Sequence, residues 1–259
     1  MTGPHPRSSL FGTLGRHPFR LIVGILLFAW TVLAAFADYF VHCAFLPKDA
    51  KAAARPLWLH RGSIRSLKVF KATMQVSGTV PTKGLLISNH LGYLDVLVLA
   101  SITPAVFVAK REVKSWPVAG WLAQLAGTLF VNRERRMQVG EVNGEIQRAL
   151  DSGGLVTVFP EGTSWNGKEV LPFKSPLLEP AVDSKHPLTV SYIRYEMEDD
   201  DASEEICYWG DHTFFPHLLN LLSKRGFGIS VRFASVTNPV QERKELARQL
   251  REEVLKLKG

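Results

Sequence analysis

The chain has 259 residues, 46% of them apolar and 21% charged, with a net charge of +7. These proportions fit a folded globular protein and exclude a disordered, a collagen-like or a polytopic membrane chain. Two cysteines, Cys43 and Cys207, exclude a disulfide scaffold and a cysteine-based zinc ribbon, and the basic balance favours anionic partners: lipid head groups, phosphorylated ligands or nucleic acid.

From Leu21 to Ala37 the chain runs 17 residues without a charge. That is near the lower limit for crossing a bilayer core of ~30 Å. Arg7, Arg16 and Arg20 precede the run and would keep that end cytoplasmic. Ala35-Phe36-Ala37 has the form of a signal-peptide cleavage site. The run is nevertheless longer than the usual ~7–15-residue core of a signal, and the chain stays apolar beyond the cut. A retained membrane segment is therefore the expectation, ended by Pro47, which cannot continue a helix. Residues 55–74 then predict a second helix, with Leu57, Ile64, Leu67 and Met74 on one face and Arg61, Arg65 and Lys68 on the other. A basic amphipathic helix after a membrane segment suits a bilayer interface. Residues 1–76 thus read as an N-terminal membrane-embedded helical element, and residues 77–259 as one further domain.

That domain reads as α/β. Short apolar runs at 85–88, 105–109, 128–131, 155–159, 188–193, 206–209 and 229–233 predict seven strands. Segments 91–102, 118–126, 134–150 and 241–257 predict helices between and after them. Alternation of this kind predicts a mostly parallel sheet flanked by helices. The acidic stretch Met197–Glu205 predicts a solvated loop.

Ligands in such sheets bind past the carboxyl ends of the strands. Four consecutive predicted strands end in polar groups: Asn89-His90, Lys110-Arg111, Asn132-Arg133 and Pro160-Glu161-Gly162-Thr163. His90 and Asp95 are five positions apart, ~500° around a continuous helix, and would face different ways on one. They can meet only if His90 lies in the strand-to-helix turn, which Gly92 permits, and Asp95 in the first helical turn. The carboxylate could then hold Nδ1–H and leave Nε2 as a general base. That is the histidine–aspartate half of a triad, with the nucleophile supplied as a hydroxyl on the substrate. Read singly, each motif also fits a buried histidine beside a carboxylate, an ordinary turn or a solvated cation. No G-x-S-x-G elbow supports a serine hydrolase, and His212 and His217 have no evident companions for a metal site. A non-enzymatic membrane adaptor would explain the N-terminus and the charge but not His90 and Asp95, and a nucleic-acid binder would explain the charge alone.

Taken together the segments resemble the glycerolipid acyltransferase family, which contains the 1-acyl-glycerol-3-phosphate acyltransferases. The resemblance rests on Asn89-His90-LGYL-Asp95, on Gly127-TLFVN-Arg133, on Phe159-Pro160-Glu161-Gly162-Thr163, and more loosely on Pro187-LTVSYI, in the family's order and over about residues 70–195. It implies acyl transfer from acyl-CoA or acyl-carrier protein to a lysophospholipid hydroxyl, first of all that of 1-acyl-glycerol-3-phosphate. It also implies His90 and Asp95 as catalytic residues and Lys110, Arg133, Glu161, Gly162 and Thr163 as acceptor-binding residues. Lys110 and Arg133 would contact the phosphate, and Glu161 would orient the acceptor or hold Arg133. No cofactor, metal or nucleic acid is implied, and the active site would lie at the cytoplasmic face of the cell membrane among lipids. Ser164 stands where members acting on lysophosphatidic acid commonly have arginine, and Ser191 where a second proline is common. Both departures bear on the acceptor, with other lysolipids such as lyso-ornithine lipid as the alternative.

Overall fold

The computed structural model describes residues 18–132, 136–182, 185–198 and 200–259. Two antiparallel-packed helices come first. Helix α1, Pro18–His42, carries the long apolar run, and α2, Lys48–Val69, follows a short turn in which Pro47 caps the second helix. At 25 residues and ~1.5 Å per residue, α1 is long and apolar enough to cross a bilayer. Ile22, Leu26, Trp30 and Leu33 form an exposed stripe along it. Its other side is docked. Trp58 of α2 donates Nε1–H to the Ala35 carbonyl at 2.7 Å, and the Tyr39 ring meets the Trp58 ring edge-on. Asp38 lies between Arg61 and Arg65, at 2.8 and 2.7 Å.

The remaining elements form a seven-stranded sheet of order β1-β7-β6-β2-β5-β3-β4. The strands are β1 Ala72–Ser77, β2 Gly84–Ser88, β3 Val106–Lys110, β4 Leu129–Val131, β5 Leu155–Val158, β6 Leu188–Glu196 and β7 Phe227–Ser235. Every neighbouring pair is parallel except β6 and β7. Helices α3 Leu94–Ile102, α4 Ala119–Leu125, α5 Arg136–Asp151, the short α6 Ala202–Glu205, α7 Phe214–Ser223 and α8 Arg243–Lys258 complete the chain.

The alternation along β2 divides the core. Leu86 points to the side covered by α1, α2, α3 and α7, whereas Leu85 and Ile87 point to the side covered by α5 and α8. All five residues of β2 are buried, which is why the central strands read as unbroken apolar runs. The N-terminal helices are therefore part of one face of the core. Leu21, Leu67 and Phe70 pack with Leu91, Val98 and Leu222.

Three expectations need correction. The helix expected over 55–74 spans 48–69, and Ala72–Ser77 pairs in parallel with β7, so the sheet begins inside the stretch assigned to the N-terminal element. Its pattern, exposed on both sides along much of its length, suits an edge strand and gives little apolar signal. Residues 206–209 are not a strand. They follow α6 as irregular chain whose apolar side chains, Ile206, Cys207 and Trp209, are buried in the core. Phe214–Ser223, given no element from sequence, is an amphipathic helix that buries Leu218, Leu221 and Leu222.

Candidate active site

β2 ends at Ser88, and the chain turns through residues 89–93 before α3 begins. Asn89 locks the turn's entry. Its Nδ2 donates to the Ile193 carbonyl at 3.0 Å, and its Oδ1 accepts from the Ile193 N–H at 2.7 Å. This amide pair clamps the end of β2 to β6. His90 then lies in the turn and Asp95 in the first turn of α3, the only placement in which the two can meet. Nδ1 of His90 is 2.8 Å from Oδ2 of Asp95.

Asp95 is fully buried, and a buried carboxylate needs donors. Oδ2 also accepts the Leu91 and Gly92 N–H groups at 2.6 and 2.9 Å, and Oδ1 accepts the Tyr195 hydroxyl at 2.7 Å. The carboxylate accepts from Nδ1, so this nitrogen carries the proton and the lone pair of the neutral ring is on Nε2. The imidazole ring stacks on Phe159, 4.3 Å between centroids, which fixes its plane. About a fifth of the side chain remains accessible, and it faces a cavity of ≈ 420 Å³.

That cavity joins the two parts of the molecule. Phe28, Val32 and Ala35 of α1, Trp58 and Leu59 of α2 and Phe70 just after it line it together with Phe107, Leu122 and Phe159 of the α/β part. More polar residues line the same cavity: Lys110 at the end of β3, Gly162, Thr163 and Ser164 after β5, and His212. The structure thus brings His90, Asp95, Lys110, Gly162 and Thr163 to one sheet edge. Gly162 has φ = +75°, a conformation available to glycine at little cost, and the motif needs it there to turn the chain past the strand. Arg133 lies outside the described residues.

Glu161, expected to orient the acceptor or hold Arg133, stands behind the cavity wall. It is 3% exposed and does not line the cavity. Oε1 accepts the His90 N–H at 2.8 Å and Oε2 the Leu171 N–H at 2.9 Å. The residue 170–171 peptide carbonyls in turn accept from Arg251 of α8. Glu161 therefore holds the backbone of His90, and burial pushes its pKa up to about 7 against the pull of those two N–H donors.

Sequence reasoning missed two groups. Tyr93, Tyr208, Phe214 and His217 form an aromatic cluster beside the cavity, with Tyr93 Oη hydrogen-bonded to His217 Nδ1 at 2.9 Å. Burial, then the nearby His212, lowers the His217 pKa to about 3, so the ring stays neutral. The density of aromatics and histidines in DHTFFPH was the available signal. Tyr195 is the other, and only the register of β6 brings it to Asp95.

The family model described as Acyltransferase matches residues 63–193. The chain is 34% identical over 187 residues to a lyso-ornithine lipid O-acyltransferase of Rhizobium meliloti (strain 1021), covering 67% of this chain and 64% of that protein, just under two thirds of its length. It is 29% identical over 195 residues to a 1-acyl-sn-glycerol-3-phosphate acyltransferase of Neisseria gonorrhoeae, covering 75% of each. Its fold is similar to the crystal structure of the 1-acyl-sn-glycerophosphate (LPA) acyltransferase PlsC from Thermotoga maritima, with a TM-score of 0.62 at 18% identity, over 93% of this chain and 96% of that one.

Proposed function

The chain belongs to the Acyltransferase family, and from that membership we propose that it moves a fatty acyl chain from an acyl thioester to the hydroxyl of a lysophospholipid at a membrane surface. The observation that carries the reading is a base, His90, held by a buried carboxylate at the wall of a largely apolar cavity of ≈ 420 Å³. Nε2 takes the proton of the acceptor hydroxyl as its oxygen attacks the thioester carbonyl. The tetrahedral intermediate collapses, the C–S bond breaks, and the imidazolium returns the proton to the leaving thiolate. Asp95 keeps the ring in the working tautomer and stabilises its charged form. No acyl-enzyme is needed. Burial raises the pKa of Cys207, and such a thiol is a poor nucleophile.

Acyl-CoA or acyl-carrier protein is the donor, and neither cofactor nor metal takes part. The acceptor is 1-acyl-glycerol-3-phosphate, giving phosphatidic acid. Lys110 and Arg133 supply charge-assisted bonds to the phosphate, and Gly162 and Thr163 shape the wall that receives it. A second acceptor, lyso-ornithine lipid, is favoured by Ser164 and by the similarity to the Rhizobium meliloti enzyme. Measuring thiol release from both donors against a panel of lysolipids tests the reading. Release should require a lysolipid, whereas thiol or fatty acid formed without any acceptor would indicate a hydrolase.

The exposed stripe Ile22, Leu26, Trp30 and Leu33 supports embedding of α1, and with it α2, in one leaflet, and Arg7, Arg16 and Arg20 ahead of it favour the cytoplasmic face for the site. Cysteines introduced at His5 and Val80 should be labelled from the same side of sealed vesicles. Labelling from opposite sides would overturn this topology.

A further inference from the structure

Asp95 has two oxygens with unequal support. Oδ2 holds Nδ1 of His90 and the Leu91 and Gly92 N–H groups. Among the described residues Oδ1 takes one donor, the Tyr195 hydroxyl at 2.7 Å. Tyr195 is on β6, a hundred positions away in the chain and two past the segment matched by the family model. It does not line the cavity. Its ring is buried edge-on against Phe227, and Ile193, two residues earlier on the same face of β6, is the residue that Asn89 clamps. One strand thus sets both the entry of the turn and the outer oxygen of the carboxylate.

We infer that Tyr195 is a positioning residue for the reaction, acting through Asp95 on His90. This rests on the reading of His90 as the base. A carboxylate held at both oxygens is kept from rotating about its Cβ–Cγ bond, so the phenol on Oδ1 works with the donors on Oδ2 to set the direction of Nε2. The titratable groups facing it are Asp95, Cys207 and Tyr93, with His90 beyond Asp95. Burial, then the Asp95 charge, raises the phenol's pKa well above its ordinary value, so it remains a donor.

The test is Tyr195→Phe, alone and in the Asp95→Asn background. Alone it should lower kcat about 10- to 100-fold, the effect of losing one charge-assisted hydrogen bond, with the acceptor KM within about twofold of the native value. In Asp95→Asn it should cost less than about twofold further, since a residue acting through another is silent once that one is disabled. Native kcat in Tyr195→Phe, a raised KM in place of lowered kcat, or the same loss in both backgrounds would each overturn the inference. Should Tyr195→Phe fail to fold, 3-fluorotyrosine at 195 keeps the ring and strengthens the donor. Charge is then drawn from the carboxylate, the imidazolium is less stabilised, and the rising limb of kcat/KM against pH moves to lower pH. An unmoved limb overturns the proposal. A His90→Ala control separates the two readings, because full activity there removes the base itself, whereas a silent Tyr195→Phe beside an inactive His90→Ala removes only the role of Tyr195.

Discussion

The turn from β2 into α3 and the helical pair α1–α2 are built on opposite principles. Between Asn89 and Asp95 the polar groups are closely tied: Asn89 to Ile193, the His90 N–H to Glu161, and Asp95 to four donors. The helical pair is held chiefly by apolar packing, with the Trp58–Ala35 bond and the Asp38 ion pairs as its main polar ties, and it leaves a stripe of large apolar side chains exposed. Directional bonds fix a base to within tenths of an ångström, which catalysis requires. Non-directional apolar packing holds the pair together without fixing any one contact. The cavity lies where the two principles meet.

The largest expected effect breaks the first region. His90→Ala should lower kcat by at least ~10²–10⁴-fold while circular dichroism and vesicle binding stay native. Asp95→Asn should follow with a loss of similar or somewhat smaller order, because an amide presents the wrong partner to Nδ1 and favours the wrong tautomer. Turnover near native in either protein would remove the base from the reaction.

Glu161 sharpens the comparison through pH. Its pKa rises from 4.5 to about 7 in the fold. Below pH 4.5 both folded and unfolded chains hold the proton. Between 4.5 and 7 the unfolded chain gives it up first, so the folded state loses stability as pH rises through this window, by roughly 3 kcal/mol at full linkage. Glu161→Gln cannot ionise and lacks this slope. Melting temperature of the native protein should therefore fall relative to Glu161→Gln from pH 4.5 to 7.5. A difference independent of pH would show that the carboxyl titrates normally.

The second region should break more gently. A Cβ built on Gly24 meets the Leu222 carbonyl oxygen at 2.6 Å, so Gly24→Val must push α1 away from α7. Overpacking of this kind costs about 1–3 kcal/mol. The expected result is a lower melting temperature with the His90 site intact, seen as retained turnover below the transition. Unchanged stability would mean that α1 does not dock on α7.

Much of this architecture is local and was legible in the chain. The central strands are buried on both faces, so their apolar runs stand out. The residues past their carboxyl ends are polar because the sheet edge is where a ligand meets the protein. His90 and Asp95 were legible because their spacing fits only a turn followed by a helix. The edge strand β1 was hidden by its exposure, and 206–209 looked like a strand because burial of irregular chain demands the same apolar residues. What tertiary structure alone decided is pairing across long separations: the Asn89 clamp on Ile193, the Glu161 grip on the His90 backbone, and the Tyr195 hydroxyl on Asp95. Nothing in the spacing of residues 71 to 104 positions apart encodes these bonds. They exist because the strand order sets β6 and β5 on either side of β2, and hydrogen bonds form only where the sheet brings donor and acceptor within about 3 Å.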